Sequence, residues 1–145
     1  MAGTMDNPGV QKMLRKYEKK YGNPIALFLY SRKGLEPQAA FDLIALTLLP
    51  GAMIEDILYV SLKTLANYKQ RKTQLNAAIS EKVLSIFALY KKGIAIFGSL
   101  DEFNKWMAAP AYGLGGQHPN DLLDTMTGIN LINEELTRIE YGDVA

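Results

Sequence analysis

The chain has 145 residues, of which 48% are hydrophobic and 21% are charged, so it is not a disordered chain and is long enough for one domain or two small ones sharing a core. It contains no cysteine, which excludes disulfides and thiolate metal sites. The net charge is +1, but residues 1–92 hold fourteen Lys/Arg against seven Asp/Glu, whereas residues 93–145 hold two against eight.

This uneven charge predicts two different surfaces. The basic residues 1–92 are suited to bind a polyanion such as DNA, and the acidic residues 93–145 are suited to bind a basic protein surface. The alternative is a chance imbalance between solvated faces.

Neither a targeting signal nor a membrane span is indicated. The N-terminus lacks the charged and apolar regions of a secretion signal, and the most apolar stretch, Ala39–Leu49, is short and interrupted by Asp42. We therefore expect a cytoplasmic protein without membrane contact, with residues 1–7 disordered.

The N-terminal extension, residues 1–35, begins with a lysine-rich segment. Gln11–Lys20 favours a helix that Gly22 to Pro24 breaks. The apolar run Ile25–Tyr30 is compatible with a strand, but its helical surroundings favour a helix.

Residues 36–92 contain the pattern of a helix-turn-helix. Gln38–Leu49 is apolar almost all round and predicts a buried helix. Met53–Tyr59 predicts a short helix, and Ser61 lies in the N-cap position of a polar helix that runs to about residue 72. Two short helices joined by a tight turn, the second one basic, are the sequence form of this DNA-binding motif.

The second of these helices is the candidate recognition helix. Its polar residues are of types that contact base edges or phosphates, and its last cations can bind the DNA backbone. An ordinary solvated helix has similar composition, so this alternative stays open. The candidate DNA-binding residues are Ser61, Lys63, Thr64, Asn67, Tyr68, Lys69, Arg71 and Lys72.

The rest of the chain is also helical by pattern. Asn76 can cap a long helix whose apolar stripe, Val83, Phe87, Tyr90, Ile94 and Phe97, is spaced 4, 3, 4 and 3. Ser99 and Glu102 form a capping box, and Thr125 begins a final helix after a glycine-rich loop. No strand pattern competes, so the predicted fold is all-α: a helix-turn-helix-like region packed with a C-terminal helical domain.

An enzyme is not indicated. The single histidine, His118, has no nucleophile-elbow pattern near it and is more simply a loop residue. Glu134 and Glu135 occupy adjacent helical positions and predict a solvated face. The run from Gly113 to Gly116 lacks the lysine of a phosphate loop. We therefore expect no catalytic residues, no metal site and no cofactor.

The C-terminal third carries a composite motif of glycine, proline and aromatic positions. Its members are Phe97-Gly98, Trp106, Pro110, Gly113-Leu114-Gly115-Gly116, Pro119, Leu122-Leu123-Asp124-Thr125, Gly128 and Leu136-Thr137-Arg138-Ile139-Glu140-Tyr141-Gly142. In order and spacing, residues 93–145 resemble the toxin-binding domain of the Xre/MbcA/ParS-type antitoxins of type II toxin–antitoxin systems. The segment from Ser61 to Leu65 looks like the start of that family's recognition helix. It has Lys63 where arginine is common, and Gln117-His118 and Asn120 also depart from the family pattern.

The resemblance implies an antitoxin that binds a cognate RES-domain toxin. Such toxins resemble ADP-ribosyltransferases and consume NAD, and the antitoxin blocks their NAD pocket with its C-terminal domain and tail. Dimerisation and repression of the antitoxin's own operon by binding operator DNA are also implied. The toxin-binding residues expected on this basis are Trp106, Gly115, Gly116, His118, Glu134, Arg138, Glu140, Tyr141 and Asp143.

Electrostatics agrees with this implication, because a pocket for a dinucleotide pyrophosphate should be cationic and the chain's end is acidic. Several of the same residues have simple structural alternatives. Phe97 and Trp106 can be core residues, and glycines 113, 115 and 116 can serve to permit positive φ angles. Arg138 can be a surface charge or part of the toxin interface. The alternative function is a stand-alone helix-turn-helix regulator with an acidic dimerisation domain.

Overall fold

The computed structural model describes residues 8–142. Within that range the protein is all-α and contains no strand, which confirms the predicted fold class. The expected disorder of residues 1–7 and the expected toxin-binding role of Asp143 lie outside the described residues.

Eight α-helices follow one another in the described chain, and two short 3-10 helices, Tyr112–Leu114 and Pro119–Leu122, lie between the last two. The α-helices are α1 (Pro8–Tyr21), α2 (Pro24–Lys33), α3 (Gln38–Thr47), α4 (Gly51–Leu58), α5 (Leu62–Arg71), α6 (Ala77–Phe97), α7 (Leu100–Met107) and α8 (Met126–Glu140). The run Ile25–Tyr30 is therefore helical, as its surroundings favoured.

The described residues divide into two compact units. Arg15–Ala88 form one, here called the N-terminal unit, and residues 8–14 with 89–142 form the other, the C-terminal unit. The divisions fall within α1 and within α6, so each of these helices supplies residues to both units. The limits predicted from the sequence, residues 1–35, 36–92 and 93–145, stay predictions.

Polar side chains begin most of the helices at the expected positions. Ser61 Oγ accepts from the Thr64 amide at 3.0 Å, and Asn76 Oδ1 accepts from the Ile79 amide at 2.8 Å. Ser99 and Thr125 accept in the same way at α7 and α8. These bonds satisfy amides that would otherwise lack helical partners. They confirm the three predicted caps, Ser61, Asn76 and Ser99, and the predicted start of the last helix at Thr125. The Glu102 side chain pairs with Lys105 at 3.4 Å rather than completing a capping box.

The core of the N-terminal unit is aliphatic with an aromatic cluster. Tyr17 and Tyr21 of α1 lie against Phe87, with ring centroids 4.7 and 6.3 Å away. Leu35, which is 1% exposed, receives a backbone hydrogen bond from Leu75 at 2.8 Å and donates its own amide to Ser80 Oγ at 3.0 Å. These bonds join the segment after α2 to the segment that leads into α6.

The C-terminal unit is built around Phe103. Its ring meets Tyr90 edge-to-face at 4.9 Å, and Phe97 and Trp106 lie at 5.9 and 6.1 Å. Gly93 makes this packing possible, because a Cβ at that position would overlap the Phe103 ring. Helix α8 adds the buried residues Ile129, Ile132 and Leu136.

Across residues 8–142, no single helix combines the length and apolar character needed to cross a membrane, and only α6 and α7 taken together, bent by 109°, reach that limit by length and composition.

Candidate functional site

A short turn joins α4 and α5 in the N-terminal unit. Helix α4 ends at Leu58, and Tyr59 follows in the left-handed conformation with φ of 57°. Its amide still donates to the Glu55 carbonyl at 2.8 Å. The Glu55 side chain accepts from the Leu62 amide, also at 2.8 Å, so one residue of α4 holds both the end of its own helix and the start of the next. The connection is as short as a helix-turn-helix requires.

A buried lysine of α6 stabilises this turn. Lys82 is 8% exposed, and its Nζ donates to the Ile57 carbonyl at 2.7 Å. The same ammonium lies 4.4 Å from the centroid of the Tyr59 ring. Since a lysine near the last carbonyls of a helix offsets their partial negative charge, Lys82 stabilises the end of α4.

Helix α5 buries little of its surface. Leu65 is its buried anchor, Leu62 is half-buried, and Ala66 is exposed. The hydroxyl of Ser61 caps the helix and also donates to Thr64 Oγ1 at 2.9 Å, so it has a structural role already. Among the other predicted DNA-binding residues, Thr64 and Tyr68 are half-buried, whereas the exposed ones are Lys63, Asn67, Lys69, Arg71 and Lys72.

The last turn of α5 forms a basic surface. Lys69 lies 5.5 Å above the ring of Phe41, and with Lys72 it lines a groove of about 340 Å³. The other residues of the groove are Glu36, Pro37, Gln38 and Gln74. The cations that were predicted to contact the DNA backbone, Lys69, Arg71 and Lys72, thus lie together at the end of α5.

The glycine-rich loop of the C-terminal unit is closed by its own backbone. The Ala111 amide donates to the Gln117 carbonyl at 3.0 Å, and the Gly116 amide donates to the Ala111 carbonyl at 2.9 Å. This closure needs Gly115 and Gly116, whose φ angles are +69° and +81°. His118 is exposed at the end of the loop.

Gly113 has a different role from its neighbours. Its φ is not positive, but a Cβ there would overlap the carboxylate of Glu135. Gly128 is constrained similarly, because a Cβ would overlap the backbone of Leu122. The loop and α8 therefore approach each other through positions without side chains.

Glu135 overturns part of the prediction of a solvated acidic face. Glu134 is exposed, but Glu135 is only 1% exposed. The reason is the helical rotation of about 100° per residue, which places Glu135 at the edge of the buried stripe. A buried carboxylate requires a partner. Arg138 supplies it, with its Nε and Nη2 lying 2.8 and 2.5 Å from Glu135 Oε1.

The solvent side of α8 carries a second, exposed stripe, here called the outer α8 face. It consists of Leu131, Glu134, Arg138 and Tyr141, spaced 3, 4 and 3 along the helix. Leu131 is 44% exposed and Tyr141 is 80% exposed. Tyr112, next to Gly113 in the loop, is 82% exposed. Large exposed apolar and aromatic side chains are typical of a protein-binding site.

The predicted toxin-binding residues occupy three environments. Glu134, Arg138 and Tyr141 share the outer α8 face, whereas Glu140 is exposed on another side of the helix. Gly115, Gly116 and His118 are exposed in the loop. Trp106 is half-buried and packs on Phe97 at 5.5 Å, so at least part of its role is structural. Tyr112 and Glu135 were not among the residues predicted from the sequence to bind the toxin. The glycine at 113, beside Tyr112, was the sequence signal that could have indicated them.

Lys92 ties α6 to the side of α8. Its Nζ donates to the carbonyl and to the side chain of Asn133, at 3.3 and 3.2 Å, and also to Thr137 Oγ1. Within residues 8–142 no group of three His, Asp or Glu is arranged to hold a metal ion.

These features define the class of the C-terminal unit: an all-α domain with a rigid glycine-rich loop and an exposed aromatic and charged face, suited to binding another protein. Residues 92–142 match the family model of the antitoxin Xre/MbcA/ParS C-terminal toxin-binding domain. The match falls on the segment whose motifs predicted it, and it supports an antitoxin role with a toxin as partner. A comparison with curated proteins gave no match.

Proposed function

We propose that the protein is an antitoxin that binds a cognate RES-domain toxin and occludes its active site. The observation that carries this proposal is the match of residues 92–142 to a toxin-binding domain, in the segment that also exposes Tyr112 and the outer α8 face. On this proposal the protein acts by binding in the cytoplasm, without catalysis and without a cofactor.

Charge supports the choice of an NAD-consuming, ADP-ribosyltransferase-like partner. Residues 93–145 hold two Lys/Arg and eight Asp/Glu. Glu134 and Glu140 are both exposed on α8, where a partner has access to them. A pocket that binds the pyrophosphate of NAD is expected to be cationic, so an acidic domain is attracted to it and its approach is accelerated.

Co-expression tests this proposal directly. The cognate RES-domain toxin is sought among the proteins encoded beside this gene, and growth and cellular NAD are measured with the toxin alone and with this protein added. Rescue of growth together with a stable purified complex supports the proposal. Failure to bind or to rescue contradicts it and leaves the stand-alone regulator as the better reading. Deletion of residues 141–145 tests whether the chain's last residues are needed for neutralisation.

We propose as well that α5 binds operator DNA, through which the protein represses its own operon. The support is the short turn between α4 and α5, held by Glu55 and Lys82, and the exposed cations at the end of α5. Binding to phosphates should weaken steeply with salt, by a slope of about 0.9 per contacted phosphate on a log–log plot.

The matched experiment replaces the cations of α5 by glutamine. Lys69→Gln, Arg71→Gln and Lys72→Gln together should weaken binding to a promoter fragment and lower the salt slope. Lys105→Gln on α7 is the control for loss of charge elsewhere. An affinity that survives the triple change rules out this helix as the DNA-contacting element.

A homodimer is the third part of the proposal, and α2 supports it. This helix exposes Ile25, Phe28 and Leu29 by 72, 54 and 56%, at the i, i+3 and i+4 positions of one face. The long apolar stripe of α6 is less suited, because Val83, Phe87 and Tyr90 are fully buried within the chain. Phe28→Glu should convert the dimer to a monomer in analytical ultracentrifugation, and an unchanged mass contradicts this choice of surface.

A further inference from the structure

The contact between Glu135 and Arg138 leaves one edge of the guanidinium available. Nε and Nη2 both donate to the same oxygen, Glu135 Oε1, so the side edge of the group is occupied. No residue of the described chain accepts a hydrogen bond from Nη1. The end edge, formed by Nη1 and the outer hydrogen of Nη2, has the planar fork that binds a carboxylate through two parallel bonds. The Arg138 side chain is 47% exposed, so a partner can reach that edge.

Glu135 is buried, unlike an ordinary glutamate on the surface of a helix. Its carboxylate is 1% exposed and lies against the backbone of Gly113 in the glycine-rich loop. Gly115 and Gly116 fix the loop in turn through their left-handed backbone. A free arginine loses side-chain entropy when a partner immobilises it. Because Glu135 fixes the guanidinium in advance, much of this loss is incurred on folding rather than on binding.

The surroundings of Arg138 are those of a binding hot spot. Tyr141 lies three residues further along α8 and Tyr112 lies beside Gly113, and both tyrosines are at least 80% exposed. Tyrosine and arginine are the residue types that most often dominate interface energetics.

From these relationships we propose that Glu135 is a positioning residue of the toxin interface: it presents the end edge of Arg138 to a carboxylate on the toxin. This inference rests on the proposed antitoxin function and names the chemistry of one contact within it.

Charge makes this contact selective. Arg138 is one of two Lys/Arg in residues 93–145, and Glu134 lies one turn before it on the same face. A toxin carboxylate placed elsewhere on this surface meets acidic neighbours and is repelled. The single oriented cation therefore fixes the register in which an otherwise basic toxin surface can dock.

The test measures the affinity of the full chain for its purified cognate RES-domain toxin. Glu135→Gln keeps the shape of the buried side chain and removes its charge, and Arg138→Gln removes the fork. Glu135→Gln/Arg138→Gln removes both charges and leaves no buried carboxylate unpaired, so it should fold even if Arg138→Gln does not. Arg138→Lys keeps the charge without the fork, and Glu102→Gln on α7 is the matched control. Melting curves accompany every variant.

Each single change at 135 or 138, including Arg138→Lys, should weaken binding by at least about tenfold, as expected for a hot spot. The double variant should bind no more weakly than Arg138→Gln, because both residues act through one contact. Glu102→Gln should bind as the unaltered chain does. A folded Glu135→Gln or double variant with unaltered affinity, or losses that add, overturns the inference while leaving the proposed function intact. An unaltered chain that does not bind the toxin refutes the proposed function itself.

Discussion

The hydroxyl of Tyr17 donates a 2.5 Å hydrogen bond to Oδ2 of Asp42 and so joins α1 to α3 within the N-terminal unit. The same carboxylate accepts from Lys16 Nζ at 2.9 Å and from Gln38 Nε2 at 2.8 Å. Burial acts to raise the pKa of Asp42, but the three hydrogen bonds outweigh it and hold that pKa below its usual value. The ionised carboxylate is therefore the form that stabilises this contact.

Removal of the Tyr17 hydroxyl should cost stability at neutral pH. Tyr17→Phe keeps the ring against Phe87 and deletes one hydrogen bond to a charged group, which contributes about 1.5–3 kcal/mol. Urea unfolding at pH 7 should show a lower midpoint with an unchanged slope.

The cost of Tyr17→Phe should also depend on pH. Because the folded-state pKa of Asp42 is lowered, its contribution is present above the unfolded value of about 3.9 and disappears as pH falls through the folded value. The difference between Tyr17→Phe and the unaltered chain should shrink in that acid range. Tyr30→Phe, at a residue that contacts no carboxylate in the described structure, is the control and should show no such dependence. A difference that stays constant from pH 7 down through that acid range excludes Asp42 as the cause.

Removal of the Tyr90 hydroxyl should have the opposite effect on stability from removal of the Tyr17 hydroxyl. Its side chain is fully buried, and its hydroxyl has no hydrogen-bond partner within residues 8–142. Burial also raises its pKa, so the phenol stays neutral. An unsatisfied buried hydroxyl costs about 1–3 kcal/mol, and Tyr90→Phe removes it while keeping the edge-to-face contact with Phe103. The melting temperature should rise or stay unchanged, and a clear fall would show that the hydroxyl is bonded.

The sequence predicted the features of this fold that depend on local chemistry. Ser61, Asn76, Ser99 and Thr125 each begin a helix, because a side-chain oxygen at that position satisfies free amides whatever the tertiary context. The all-α class followed from the helical spacing of apolar residues, and the C-terminal motif identified a domain that the family model confirms.

What the sequence did not predict depends on contacts between distant residues. Glu135 was assigned to a solvated face because its neighbour is glutamate, and only the approach of Gly113 shows that it is buried. The predicted role of Gly113 was a positive φ angle, but its actual role is to leave room for a carboxylate 22 positions later. Spacing along one helix cannot give either result, since both arise where a loop packs against α8.

Leu48 offers a position at which glycine should stabilise the fold. It lies after α3 in the left-handed conformation, with φ of 59°, and its side chain is 72% exposed. The left-handed conformation costs a non-glycine residue about 1–2 kcal/mol, whereas glycine adopts it freely. Leu48→Gly should therefore raise the free energy of unfolding by up to about 1 kcal/mol after its own loss of chain entropy. Leu49→Gly, one residue further on and outside that conformation, should not, and equal effects of the two changes would contradict this explanation.

Gly113→Ala should destabilise the C-terminal unit because of its side chain rather than its backbone. Its φ is not positive, so alanine fits the local conformation, but the new Cβ would overlap the carboxylate of Glu135. That carboxylate is buried and bound by Arg138, so it cannot simply move aside. Forcing extra volume into such a site costs about 1–3 kcal/mol, which urea unfolding followed by far-UV circular dichroism can measure.

A double-mutant cycle identifies the source of this cost. In a Glu135→Ala background the carboxylate is gone, so adding Gly113→Ala should cost much less than it does in the unaltered chain. Gly98→Ala is the comparison for backbone strain alone, because Gly98 has φ of +92° and no neighbour within 4 Å of the new Cβ. Its cost should be the same whether residue 135 is glutamate or alanine. If the cost of Gly113→Ala is equally insensitive to residue 135, the loop does not depend on Glu135 for its position.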